Sequence, residues 1–177
     1  MSGITEADET YFLKSVKGQR DICRQPRKRG GKSKKPGLSS EQIPVLLAKD
    51  RNGETFDCVL PSATKEQIGK ALKPVLGKDT LLCTDGSRAL RATAKEFGIP
   101  HQAMNIKAGT RVKERIFHIQ NVNSYASRLK GWMRRFNGVA SKYIESYLGW
   151  MRFFERHEDE AFNSKIWLIN STIHLST

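Results

Sequence analysis

The sequence holds only three cysteines, Cys23, Cys58 and Cys83, far apart and without a C-x-x-C pair. That spacing supports neither a zinc ribbon nor a disulfide framework. Cys58 and Cys83 lie inside apolar runs and read as small core residues. Long apolar runs are missing as well. The longest, Ile43–Ala48, contains Pro44 and is far too short to cross a bilayer, and the acidic, polar N-terminus is unlike a signal peptide. These absences point to the cytoplasm and away from membranes. Acid is scarce, with 18 Asp and Glu against 31 Lys and Arg and a formal charge of +13. The imbalance favours a polyanionic partner, with nucleic acid ahead of an acidic lipid surface. No Ser-His-Asp arrangement stands out, so nucleophilic catalysis by a serine is not indicated.

What is present suits one domain of 177 residues. Gly3–Leu13 (GITEADETYFL) alternates as a strand, with Ile4, Glu6, Asp8 and Thr10 on one side and Thr5, Ala7, Glu9 and Tyr11 on the other. Carboxylates crowded there repel one another unless a cation intervenes. Glu9 is expected to turn to the opposite face from Asp8 and to pair with a basic side chain. Lys14–Lys35 carries ten Lys or Arg against Asp21 alone, which describes a basic loop between two strands. Ile43–Lys49 and Glu54–Leu60 read as a hairpin closed by Asp50-Arg51-Asn52-Gly53.

Thr64–Leu76 follows as a helix with a capping-box start at Thr64 and Gln67, an end at Gly77, and Pro74 to shorten or kink it. Thr80–Thr84 is a short buried strand. Asp85 stands at its end, Gly86 turns the chain, and Ser87 caps a helix that runs to Phe97 and stops at Gly98. Pro100–Ile106 makes a short edge strand. From Val122 the apolar spacing is helical to Phe136, and after Gly138 a second helical stripe runs to Phe154. The aromatic residues in these stripes have core spacing. Three strands, helix, strand, helix, strand, helix describes an α/β sandwich of mixed strand direction.

A strand that ends on Asp85 aims a carboxylate at the carboxyl end of a sheet. Asp8 lies on the first strand, and Asn123 and Lys130, seven residues apart, project along nearly one line of a helix. Two aspartates and a neutral oxygen donor suit magnesium. A pair of such ions roughly 4 Å apart serves phosphodiester cleavage without a nucleophilic side chain.

Four segments in this order are specific: EADETYF at 6–12, CTDGSRAL at 83–90, HIQNVNSYASRLKGW at 118–132 and GVASKYIESYLGWMRFF at 138–154. They resemble the catalytic domain of bacterial insertion-sequence transposases, in the ISXO2-like, DDE-type group whose third catalytic residue is asparagine. The resemblance implies a ribonuclease H-like mixed sheet, three antiparallel strands then parallel ones, flanked by helices and followed by a helical C-terminal part. It implies a catalytic domain at 1–157, with the basic loop 14–37 inserted between the first two strands, and a tail at 158–177. Asp8, Asp85 and Asn123 become ligands of Mg2+ or Mn2+, and Lys130 the basic catalytic residue. Lys28, Arg29, Lys34, Lys35, Arg128, Lys130 and Arg134 become DNA contacts, and His118 a further candidate.

The implied activity is metal-dependent strand cleavage and strand transfer on element ends and target DNA, by a homodimer or larger assembly at the nucleoid. Relatives carry a DNA-binding segment ahead of this domain, so the chain is expected to be truncated at its N-terminus. Two other functions fit the same residues: an inactive basic DNA-binding remnant, and a ribonuclease H-like nuclease without strand transfer.

Overall fold

The computed structural model describes residues 1–22, 25, 31, 33, 39–104, 109 and 112–157. Its main sheet has five strands in the order β3-β2-β1-β4-β5, formed by β1 (Ile4–Leu13), β2 (Gln42–Asp50), β3 (Thr55–Val59), β4 (Leu81–Thr84) and β5 (His101–Ala103). β2 is antiparallel to both β1 and β3, whereas β4 and β5 run parallel to β1. Helices α1 (Lys65–Leu72) and α2 (Arg88–Phe97) pack on one face, and α3 (Gln120–Arg134) and α4 (Ile144–Arg156) on the other. This is an α/β fold of the ribonuclease H-like kind.

Both faces of the sheet are covered, and β2 is accordingly apolar from Ile43 to Ala48. Within β2, Val45 and Leu47 join the core under α3 and α4, while Leu46 and Ala48 join the core under α1 and α2. The same alternation governs β1. Ala7 points to α1 and α2, which leaves Glu6, Asp8 and Thr10 on the α3 face and Glu9 and Tyr11 on Ala7's face.

The hairpin forms as its Asn-Gly predicts. Gly53 has φ +94°, and the Asp50 carboxylate closes the turn by accepting from the Asn52 and Glu54 amides at 3.0 Å each. Thr64 caps α1, but the helix ends at Leu72, short of the expected Leu76. Pro74 has no N–H to continue the ladder. Gly77 does not end the helix. Its amide donates to the Met1 carbonyl at 2.9 Å, and a Cβ there would meet that oxygen at 2.9 Å. The glycine is required by close approach of the N-terminus.

Gly98 stops α2 in the left-handed region at φ +65°, as expected. The edge strand is shorter than Pro100–Ile106. A further two-stranded hairpin, β6 (Val112–Lys113) with β7 (Phe117–His118), precedes α3. Its turn places Glu114 and Arg115 at positive φ, a conformation that neither residue type announces. Lys28, Arg29, Lys34, Lys35 and the tail at 158–177 lie outside the described residues.

The aromatic side chains of α3 and α4 form one continuous group. Trp132, Phe136, Tyr147 and Trp150 meet at ring-centroid separations of 4.7–5.9 Å. Trp132 and Tyr147 pack onto the core, whereas Trp150 is exposed.

Candidate metal centre

Register brings the two aspartates together. β1 pairs with β4 at Ile4↔Leu81, Thr5↔Leu82 and Glu6↔Cys83, and two more residues along each strand set Asp8 level with Asp85. There β4 ends and Gly86, at φ +93°, turns the chain into α2. β1 continues to Leu13, so its β4-facing edge runs on without a β4 partner beyond the carboxyl end of that strand. The Glu9 amide on that stretch donates to Asp8 Oδ1 at 2.8 Å. Thr84 Oγ1 accepts from the Gly86 amide at 3.2 Å and contacts His101 Nε2 at 2.9 Å. Those bonds hold the turn that carries Asp85, whose Oδ1 accepts from the Ser87 amide at 2.9 Å.

Glu9 joins this pair. Carboxylate oxygens of Asp8, Glu9 and Asp85 all lie within 4.8 Å of one another. Glu9 does lie on the opposite face from Asp8, but at the open strand edge its longer side chain reaches round. Its partner is the Ser87 hydroxyl, 3.1 Å from Oε1, and not the basic side chain expected from sequence. Ser87 correspondingly stands at the N-cap position of α2 without making a side-chain cap.

Electrostatics mark the cluster as short of positive charge. Burial and then the charge of Asp85 push the Asp8 carboxyl up from 3.8 to about 6, against relief from the Glu9 amide and Lys130. Burial also pushes Glu9 up from 4.5 to about 7, with Asp8 and Asp85 adding to the rise. Tyr11, on the same face as Glu9, is raised to about 12 by burial and by Glu9, Asp8 and Asp85. It therefore stays a hydrogen-bond donor. Among the described residues none of the three acids is in an ion pair. The donors are all oxygen and lie close enough to converge on one ion, so the set suits a hard divalent cation.

The other sequence candidates separate by the flank of α3 they occupy. Asn123 is half-buried on α3 and Lys130 is exposed on the same flank, with the Lys130 charge acting on Asp8. Arg134 continues that line, exposed. Arg128 lies on the other flank. Its Nε donates to Glu155 at 2.6 Å and its Nη1 to Ser124 at 2.7 Å. His118 sits beside Glu6 and Arg51, at 3.3 Å from Glu6 Oε1 and 2.9 Å from Arg51 Nη1, at the N-terminal end of α3 and outside the acid cluster. Sequence reasoning missed Glu9, Tyr11 and Ser87 as neighbours of the site. The one available signal was the adjacency of Glu9 to Asp8.

With this geometry in view, the sequence profile of the ISXO2-like transposase domain matches residues 1–155. The chain belongs to that family. None of the curated proteins compared with the chain matches it. Membership in the ISXO2-like transposase family makes this a transposase domain, a polynucleotidyl transferase or nuclease by class with DNA as its partner. No helix among the described residues is long and apolar enough to cross a membrane.

Proposed function

We propose that this transposase domain is of the DDE type with asparagine in the third position, and that it cleaves and joins DNA at a divalent-metal site. The observation that carries this reading is the convergence of Asp8, Glu9 and Asp85 within 4.8 Å at the open end of the sheet. Asp8 and Asp85 would hold Mg2+ or Mn2+, with the Asn123 carboxamide as a neutral third donor and Glu9 as an added carboxylate. A bound ion would polarise a phosphoryl oxygen and make bound water more acidic.

The remaining work falls to side chains of this chain. Lys130 and Arg134 offer charge to a DNA phosphate along one helix flank. On the other face of the sheet, α2 starts beside Asp85 and presents Arg88, Arg91 and Lys95 exposed, on one edge by helical spacing. Tyr11 stays protonated and would be able to donate to a phosphate oxygen. Arg128 is held by Glu155 and is left out of the DNA surface in this reading. Lys28, Arg29, Lys34 and Lys35 add charge for the DNA backbone. In cleavage, a water oxygen bonds to phosphorus and the bond to the 3′ oxygen breaks, freeing a 3′-hydroxyl. In joining, that hydroxyl oxygen bonds to a target phosphorus and the target's 3′ oxygen leaves.

The test is nicking of plasmid DNA with Mg2+ and joining of a labelled element end to a target. Asp85→Asn is expected to lower nicking by at least about 10³-fold, roughly 4 kcal/mol of barrier, with DNA binding unchanged. Nicking that survives this substitution would overturn the metal site. Nicking without joining would leave a nuclease, and DNA binding without either an inactive binding domain.

A further inference from the structure

Helix α3 begins without a cap of its own. Its N-cap position is Ile119, which has no side-chain acceptor, and no acidic residue stands in its first turn. The missing acceptor comes from 116 residues away in sequence. Glu6 Oε2, on β1, accepts from the Val122 amide at 2.9 Å. Glu6 is fully buried, and its other oxygen lies 2.9 Å from Arg51 Nη1 and 3.3 Å from His118 Nδ1.

Arg51 comes from the β2–β3 turn and His118 from β7. Arg51 also touches His118 Nε2 at 2.9 Å and donates to the Ile116 carbonyl at 3.0 Å. A guanidinium only donates, so Nε2 is the acceptor in the contact with Arg51. The Gln120 amide donates to Nδ1 at 3.2 Å, which seats the ring against the first turn of the helix.

A buried ion pair is a weak device for stability alone, since desolvation offsets most of its attraction. Its placement here has a clearer consequence. Glu6 is two residues before Asp8 on the same face of β1, and Val122 immediately precedes Asn123. One carboxylate therefore joins the strand that carries the first proposed ligand to the helix turn that carries the third, and Lys130 follows two turns along that helix.

We infer that Glu6, paired with Arg51 and bonded to the Val122 amide, is a positioning residue that sets Asn123 and Lys130 at their working distance from Asp8. This rests on the proposed metal-dependent reaction. Glu6 touches neither DNA nor metal in this role. It acts through the backbone of α3, as outer groups do when they orient ligands.

The test uses the full chain and has three readouts. In the metal-free protein, amide exchange of Val122 and Asn123 is expected to accelerate in Glu6→Ala while the β2–β3 ladder stays protected. Mn2+ affinity, measured by calorimetry without DNA, is expected to fall about 10- to 100-fold, and the kcat of nicking by a similar factor, with KM for DNA unchanged. Glu6→Gln combined with Arg51→Leu keeps an acceptor for the Val122 amide and removes the stranded cation, so it is expected to recover most of the loss.

Where Glu6→Ala does not fold, His118→Ala and this double variant carry the same comparison. A wild-type kcat and Mn2+ affinity in Glu6→Ala would overturn the inference. A uniform loss of protection, or a rise in KM matching the fall in kcat, would do the same. If the wild-type chain neither nicks DNA nor binds Mn2+, the metal-site reading fails, and amide exchange alone decides whether Glu6 holds the helix.

Discussion

Two of the acidic sites beside α3 treat negative charge in opposite ways. On the α4 side, Asp57 is buried, paired with the Arg152 guanidinium and bonded by the Tyr125 hydroxyl. Arg152 also donates to the Asp57 carbonyl at 2.9 Å. On the β4 side, Asp8 and Glu9 are half-buried beside Asp85, without an ion pair among the described residues. Burial lifts both of their pKa values. The first site is neutralised within the fold and closes it. At the second, repelling groups are held together without an internal counter-charge, and the proposed cation would supply it. Burial of an acid therefore does not single out a site by itself; the lack of an internal counter-charge is what supports the proposed one.

The comparison breaks first at Asp57. Asp57→Ala strands the Arg152 charge and the Tyr125 hydroxyl, and is expected to cost about 3–5 kcal/mol in urea unfolding. A loss below about 1 kcal/mol would put the two sites on the same footing.

Asp8→Asn is expected to act in the other direction. The folded Asp8 and Glu9 bind protons more tightly than the unfolded chain does. The metal-free protein should therefore lose stability as pH rises from about 4 to about 7. At pH 8, Asp8→Asn should be more stable than wild type by about 1–2 kcal/mol, with no difference near pH 4. Mg2+ should raise the melting temperature of the wild type at pH 8 but not that of the variant. A variant less stable than wild type at pH 8 would show that the cluster is already compensated.

The smallest effect separates the two flanks of α3. Lys130→Ala should slow nicking about tenfold, or roughly 1.4 kcal/mol. Arg128→Ala should change activity little and cost under about 1 kcal/mol of stability through its exposed pair with Glu155. Equal effects on activity would place both residues on one DNA surface.

Much of the fold was legible because it follows local periodicity. Alternation along 4–13, the Asn52-Gly53 turn, the Gly98 stop and the helical stripe from Val122 all depend on neighbours a few residues apart. The convergence of Asp8 and Asp85 was legible as well, since a parallel neighbour ending on an aspartate constrains where that carboxylate stands. Ser87 misled because it has the right type and position for a cap, yet its hydroxyl donates to Glu9 and makes no cap bond. Gly77 misled because it follows a helical stripe, whereas its need for a missing side chain comes from Met1.

Sequence alone determined the main elements, their order and the basic character, because each depends on composition or on spacing along one strand or helix. Only the tertiary structure decided which acids are neutralised and which are left to face one another. Glu6 with Arg51 and His118, Asp57 with Arg152, and Glu9 with Ser87 are pairs separated by 45 to 112 positions. No local pattern links them. They meet because two helical layers pack on one twisted sheet, and burial then makes each pairing, or the lack of one, energetically decisive.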